Sequence, residues 1–191
     1  MPRSIIEGAL GSKAPAGDVT EGQVPAERSA EDIEIERIAD GLNVCIKLIG
    51  CGGAGSNTVN RFFEQGVSGV QTLAINTDAK HLLSVKASRK MLIGKVLTKG
   101  LGAGAKPEVG ERAAMENELD LKEFVKGSQI VFVTAGMGGG TGTSSSFVVS
   151  RLSREAKALT VGVVTLPFKS EGEMRMDNAM AGLSRLAKVC D

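Results

Sequence analysis

The sequence predicts an α/β fold of three layers, a mostly parallel sheet with helices on both faces. Three observations carry this. From residue 43 onward, apolar runs alternate with stretches of helical periodicity. Runs such as "IVFV" and "VGVV" are apolar at successive positions, as strands covered on both faces must be. The glycines gather where those runs end, which is where ligands sit in such a sheet.

Taken in order, the first expected strand is Val44–Ile49, which closes on "GCGGAGSN" and leads into a helix over Ser56–Gln65. The second, Val70–Ile75, ends at Asn76 and Asp78 and precedes a helix over Ala79–Val85. A short third strand, Met91–Ile93, runs through "KGLGAGAKP" to a helix over Pro107–Met115, where Pro107 suits the first helical position. A helix over Leu121–Lys126 follows. Strand Ile130–Ala135 enters "TAGMGGGTGT" and a helix over Thr143–Ala158, and strand Thr160–Leu166 is followed by a helix over Gly172–Val189.

Composition limits the alternatives. The 191 residues are 42% hydrophobic and 24% charged, an ordinary soluble balance, while aromatics are 3% with no Trp or Tyr, so the core must be aliphatic. No apolar run reaches the roughly 18 residues of a membrane span, and no signal pattern opens the chain, which predicts a cytoplasmic protein. Cys45, Cys51 and Cys190 lack metal-ligand spacing and read as reduced, packed thiols. Residues 1–40 hold four cations and nine carboxylates, a net −5. Residues 1–28 read as a leader too poor in apolar periodicity to order itself. Ser29 and Asp32 resemble a capping box for a short helix over 29–42. Elsewhere Lys and Arg are scattered without aromatic interleaving, a solvated surface rather than a nucleic-acid face.

Chemistry concentrates in three glycine loops, each between a strand and a helix. The first matches G-x-G-x-x-G at Gly50, Gly52 and Gly55, the phosphate turn of a dinucleotide-binding unit. Alone it admits a nicotinamide-dependent oxidoreductase, or a plain turn. The other two loops would then have no task, whereas a triphosphate can use several such loops. G-K-[ST] does not follow any of them, so phosphate would be held by backbone and hydroxyl donors.

In this order and spacing, "GCGGAGSNTVNRF", "AINTD", "GLGAG", "TAGMGGGTGT" and "VVTLPFKSEGEMR" closely resemble the N-terminal nucleotide-binding domain of the FtsZ cell-division GTPases, of the tubulin superfamily. The resemblance covers about residues 43–191. It implies binding of GTP or GDP, magnesium-assisted hydrolysis, and head-to-tail self-assembly into cytoplasmic filaments at the division site. Accessory division-ring proteins are compatible with it, and neither nucleic-acid binding nor membrane insertion is expected. Carried over, Gly52, Gly53, Ala54, Gly55, Ser56 and Asn57 take the first phosphate loop, with Asn57 near the base or ribose. Gly138, Gly139, Gly140, Thr141, Gly142 and Thr143 take the second, with the Thr141 hydroxyl at the β-phosphate. Gly102, Ala103 and Gly104 sense the γ-phosphate. Glu171 and Arg175 meet the ribose and guanine side, while Asn76 and Asp78 line the cleft. No metal ligand and no catalytic residue is expected in this chain. Family members continue past "KVCD" into another strand, a central helix, a catalytic loop and a second domain, so the chain reads as a GTP-binding domain without the loop that acts on a neighbour.

After "GGGTGT" the family pattern gives way to Ser144, Ser145, Ser146 and Phe147. A positive φ at Ser144 would be strained, whereas a helix-capping hydroxyl would not. His81, the only histidine, reads as a surface residue. Met174, Met176 and Met180 read as helix packing.

Overall fold

The structure is a computed structural model that describes residues 29–41 and 44–191. The expected leader over 1–28 lies outside the described residues. The chain divides into two units, Met1–Leu42 and Asn43–Asp191. In the first, Ala30–Gly41 forms helix α1. Its entry is closed by a reciprocal cap, Asp32 N–H donating to Ser29 Oγ and Ser29 N–H to Asp32 Oδ2, both at 3.1 Å.

The second unit contains, in chain order, β1 (Ile46–Cys51), α2 (Gly52–Glu64), β2 (Val70–Asn76), α3 (Ala79–Ser84), β3 (Arg89–Leu92), α4 (Lys95–Thr98), α5 (Pro107–Glu116), α6 (Glu118–Val125), β4 (Ile130–Gly136), α7 (Thr141–Glu155), β5 (Leu159–Thr165) and α8 (Glu173–Leu186), with a 3-10 turn at Lys169–Glu171. The strands lie in the order β3-β2-β1-β4-β5, and every pairing is parallel.

Alternation along the strands divides the core into two. Ile49 and Cys51 of β1 and Val131, Val133 and Ala135 of β4 pack with Ala113 of α5, Leu121 of α6 and Val148 and Leu152 of α7. Leu48 of β1 and Ala74 of β2 pack instead with Val59 of α2 and Leu82 of α3. The sheet is thus the middle of three layers. Helix α8 brings Ala179 and Leu186 against Met137. The largest fully buried side chains are all Ile, Leu and Val, as the scarcity of aromatics requires. Lys47 is the exception among the inward positions of β1: its Nζ donates to Phe124 O and, at 3.1 Å, to Lys126 O, satisfying carbonyls left over at the end of α6.

Strand order creates the site. Because β1 pairs with β2 on one side and β4 on the other, the crossovers leave it in opposite directions and a crevice opens beyond the carboxyl ends. The register sets Cys51 level with Ile75 and Ala135, so α2 and α7 both start there.

Several boundaries differ from the sequence reading. Helix α2 begins at Gly52 rather than Ser56, although glycines are poor helix formers; Gly52, at φ +69°, makes the hinge out of β1. Helix α7 begins at Thr141 rather than Thr143 and stops at Glu155, where Lys157 turns left-handed at φ 63° and donates to Arg154 O. Helix α4 has no counterpart among the expected helices. It is a single turn between left-handed Gly94 and Lys99, and its entry is capped from another element, the Glu116 carboxylate accepting from Val96 N–H at 3.0 Å and Leu97 N–H at 3.3 Å.

Candidate functional site

A cleft of about 760 Å³ occupies the crevice. Gly53 and Ala54 of α2, Gly104 of the loop before α5, and Gly139, Gly140, Thr141 and Gly142 before and within α7 form its floor. Thr165 to Phe168, Glu171 and Arg175 line it as well, with Arg175 and Pro167 packed against Gly138. The N-cap positions of α2 and α7, Cys51 and Gly140, make no side-chain cap, so backbone N–H groups of both first turns remain for another acceptor. Two helix dipoles add positive potential at one place.

Most of the glycines answer the close approach of other backbone, from their own loop, a neighbouring strand or another loop. A Cβ on Gly50 would lie 2.3 Å from Gly55 O, one on Gly55 2.2 Å from Thr134 O, and one on Gly140 2.6 Å from Gly104 O. Gly53, Gly104 and Gly139 differ, having no atom within 4 Å of a Cβ position. They face the open cleft. The bare backbone therefore answers two demands, close approach of other backbone and free space at three points.

The side chains assigned from the sequence separate into two groups. Gly53, Ala54, Gly104, Gly139, Gly140, Thr141, Gly142, Glu171 and Arg175 meet at the cleft. Ser56 is fully buried, its hydroxyl directed at Ile75 O. Thr143 is buried and its Oγ1 accepts from Gly138 N–H at 2.8 Å, which shapes the loop from within. Gly102 donates its N–H to Thr77 O at 3.0 Å, and Ala103 is buried. Asn76, Asp78 and Asn57 belong to a polar cluster beside the cleft. Asn76 Oδ1 accepts from Thr77 N–H at 2.9 Å, and Asp78 caps α3 by accepting from His81 N–H at 3.0 Å.

His81 departs from the surface reading. Its Nε2 lies 3.0 Å from Asn57 Oδ1 and its Nδ1 3.2 Å from Asn76 Nδ2, so it ties α2 to β2. A single histidine after a strand carried no sequence signal of this. Thr165 to Phe168 lie within the quoted "VVTLPFKSEGEMR" but carried no site assignment, although their place at the carboxyl end of β5 was the available signal. Ser144 lies within α7 and is not among the residues of positive φ. Its hydroxyl folds back on Gly140 O at 2.8 Å, as Ser145 does on Thr141 O at 2.6 Å, so neither acts as an N-cap. Gly110 of α5 makes room for this turn, since a Cβ there would lie 2.4 Å from Gly140 O.

Charge at the cleft is sparse. Arg175 pairs with Glu171 at 2.7 Å. The Glu171 carboxyl is held below its ordinary value, first by the Phe168 N–H donating to it at 2.9 Å and then by Arg175, so it is an ionised acceptor at neutral pH. Among the described residues no group of three His, Cys, Asp or Glu is placed to hold a metal ion.

Comparison with known proteins agrees with this architecture. Residues 45–191 match the model of the Tubulin/FtsZ family, GTPase domain. The chain is 51% identical over 173 residues to "Cell division protein FtsZ 1" of Pyrococcus horikoshii, an alignment covering 91% of this chain and 46% of that protein. Among solved structures it is similar to "FtsZ dimer, empty (M. jannaschii)", with a TM-score of 0.79 at 50% identity over 85% of this chain and 48% of the other. It is also similar to "CetZ2 from Haloferax volcanii - GTPgS bound protofilament", with a TM-score of 0.70 at 25% identity over 77% of this chain and 47% of the other. The chain thus spans about half the length of these relatives. A parallel sheet whose switch point gathers three glycine loops, matched along nearly all of the second unit by one family model, places this chain in the Tubulin/FtsZ family, as its GTPase domain.

Proposed function

We propose that the cleft binds GTP and GDP, and that the protein to which this domain belongs is a filament-forming GTPase of cell division. The observation that carries the reading is the convergence of two side-chain-uncapped helix starts, α2 and α7, on one cleft whose floor is bare at Gly53, Gly104 and Gly139. Neutral N–H and hydroxyl donors then face the phosphates, with the Thr141 hydroxyl among them. Glu171 and Arg175 also line the cleft, and a carboxylate there suits the hydroxyls of a ribose and the edge of a purine. No group of three His, Cys, Asp or Glu is gathered among the described residues, and in our reading a magnesium ion accompanying GTP is held chiefly by the phosphate oxygens and water.

Hydrolysis needs a group that positions the attacking water; Glu171 is the one carboxylate lining the cleft among the described residues, and both it and the neighbouring Asp78 are engaged. Glu171 is paired with Arg175 and Asp78 caps α3. In our reading these 191 residues bind nucleotide with negligible turnover on their own, and the missing group comes from a second subunit stacked head-to-tail over the cleft. Leu101, Phe168 and Met174 are strongly exposed, at 86%, 79% and 66%. Phe168 lines the cleft, and the other two lie next to cleft segments in the chain, which suits such a contact. No helix among the described residues is long and apolar enough to cross a membrane; as part of the same proposal, the protein acts in the cytoplasm at the division site.

Fluorescence titration with labelled GTP, GDP and NAD tests the ligand. Micromolar or tighter binding of the guanine nucleotides with none of NAD is expected, and NAD binding in preference to GTP would overturn the reading. Phosphate release separates binding from turnover: a robust rate independent of protein concentration would place the catalytic group within this chain.

A further inference from the structure

Thr77, between β2 and α3, is fully buried; it falls within the quoted "AINTD", where only its neighbours Asn76 and Asp78 were assigned to the cleft. Its hydroxyl lies 2.7 Å from the Thr141 hydroxyl, which lines the cleft. Only one hydrogen fits between two such oxygens, so one threonine donates and the other accepts. Thr77 is shut off from water, and among the described residues its Oγ1 has Thr141 Oγ1 as its partner. A buried hydroxyl donates where it can, and Thr141 offers the acceptor. With that lone pair taken, Thr141 keeps its own hydrogen for the cleft. In the opposite arrangement Thr141 would spend its hydrogen on Thr77 and show an anion only lone pairs.

The same residue pins a second loop. Thr77 O accepts from Gly102 N–H at 3.0 Å, and the Thr98 hydroxyl, which donates to Gly94 O at 3.0 Å, lies 3.4 Å from it. Its N–H is held by Asn76 Oδ1. Main chain and side chain of one buried residue thus hold the loop before α5 and the first residue of α7 in a fixed relation.

We infer that Thr77 is a positioning residue of the nucleotide cleft, whose hydroxyl donates to Thr141 and so turns the Thr141 hydroxyl into a donor toward phosphate. The inference rests on the proposed binding of nucleotide. Thr77 touches no ligand itself and acts through Thr141.

A double-mutant cycle on the 191-residue chain tests it, with labelled GTP affinity as readout. Thr77→Val removes the donor with little change of shape and is expected to weaken binding about tenfold. Thr77→Ser restores the donor and should return affinity to within about twofold of the parent. Thr141→Val should weaken binding as well, and Thr77→Val added to it should cost nothing more, because the group it orients is gone. Melting of the nucleotide-free variants shows whether each is folded, and Thr77→Ser keeps the test open if the valine variant is not. An equal loss of affinity from Thr77→Val with and without the Thr141 hydroxyl would assign Thr77 a merely structural role and overturn the inference. So would a folded Thr77→Val or Thr77→Ser variant that contradicts the expected loss or rescue. If Thr141→Val leaves affinity untouched, the phosphate-cleft reading itself falls; if Thr141→Val weakens binding and Thr77→Val does not, only the present inference falls.

Discussion

Substituting two glycines of neighbouring loops should give opposite outcomes, because one faces protein and the other faces space. A Cβ on Gly55 would sit 2.2 Å from Thr134 O, and both partners are backbone. An ordinary C···O contact is about 3.3 Å, so Gly55→Ala would force β4 and α2 apart by roughly 1 Å. Overpacking of this kind costs up to about 3 kcal/mol. Alanine is preferred to glycine in a helix by about 1 kcal/mol, which leaves a net loss of about 2 kcal/mol. For a domain of this size that is a fall in Tm of about 4 to 8 °C. Gly139 has nothing within 4 Å of its Cβ position and no positive φ, so Gly139→Val should leave Tm within about 2 °C. Its side chain would instead fill the cleft and block N–H donors, weakening GTP about tenfold to a hundredfold. Differential scanning fluorimetry and nucleotide titration on both variants read the two effects separately. A folded Gly139→Val protein with unchanged GTP affinity would refute the assignment of this floor to phosphate. An unchanged Tm in Gly55→Ala would show that the strand yields freely and that the glycine is not a packing requirement.

Burial pushes the Cys51 thiol up to about 12, against a smaller lowering by the Ser145 hydroxyl. Iodoacetamide at pH 8 should therefore modify Cys45 and Cys190, which are only partly buried, and spare Cys51 until the protein unfolds; mass spectrometry of the peptides checks this. Glu111 is held below 4.5, chiefly by its hydrogen bonds from Arg185, which join α5 to α8 at 2.6 and 2.8 Å. A lowered carboxyl stabilises the fold above its unfolded value and loses that contribution as pH falls through the folded one. For a partly exposed pair, Glu111→Gln should cost about 0.5 to 1 kcal/mol near pH 7, seen as a lower Tm, and the gap to the parent should narrow as the pH falls below the ordinary carboxylate range. Removing magnesium with a chelator should weaken GTP more than GDP in the titration, since the ion would bridge the terminal phosphates; equal effects would count against phosphates held by neutral donors.

What the sequence alone determined is what local pattern controls. Apolar runs with helical stretches between them specify a parallel α/β sheet, and glycines at strand ends mark the functional edge, because strand burial and turn geometry are written in neighbouring residues. The motifs from "GCGGAGSN" to "VVTLPFKSEGEMR" carried the family for the same reason. What only the tertiary structure decided depends on residues far apart in the chain. Gly55 and Gly140 look identical in sequence to Gly53 and Gly139, yet the first two are required by backbone from β4 and from the loop before α5, and the last two by open space. Helix α4 exists because Glu116 caps it from α5, and α2 starts within its glycines because β1 delivers them to the crevice. His81 and Thr77 acquire their roles from Asn57, 24 residues away, and Thr141, 64 residues away. Such contacts leave no periodicity to read, since each is made only when the sheet brings its strand ends level.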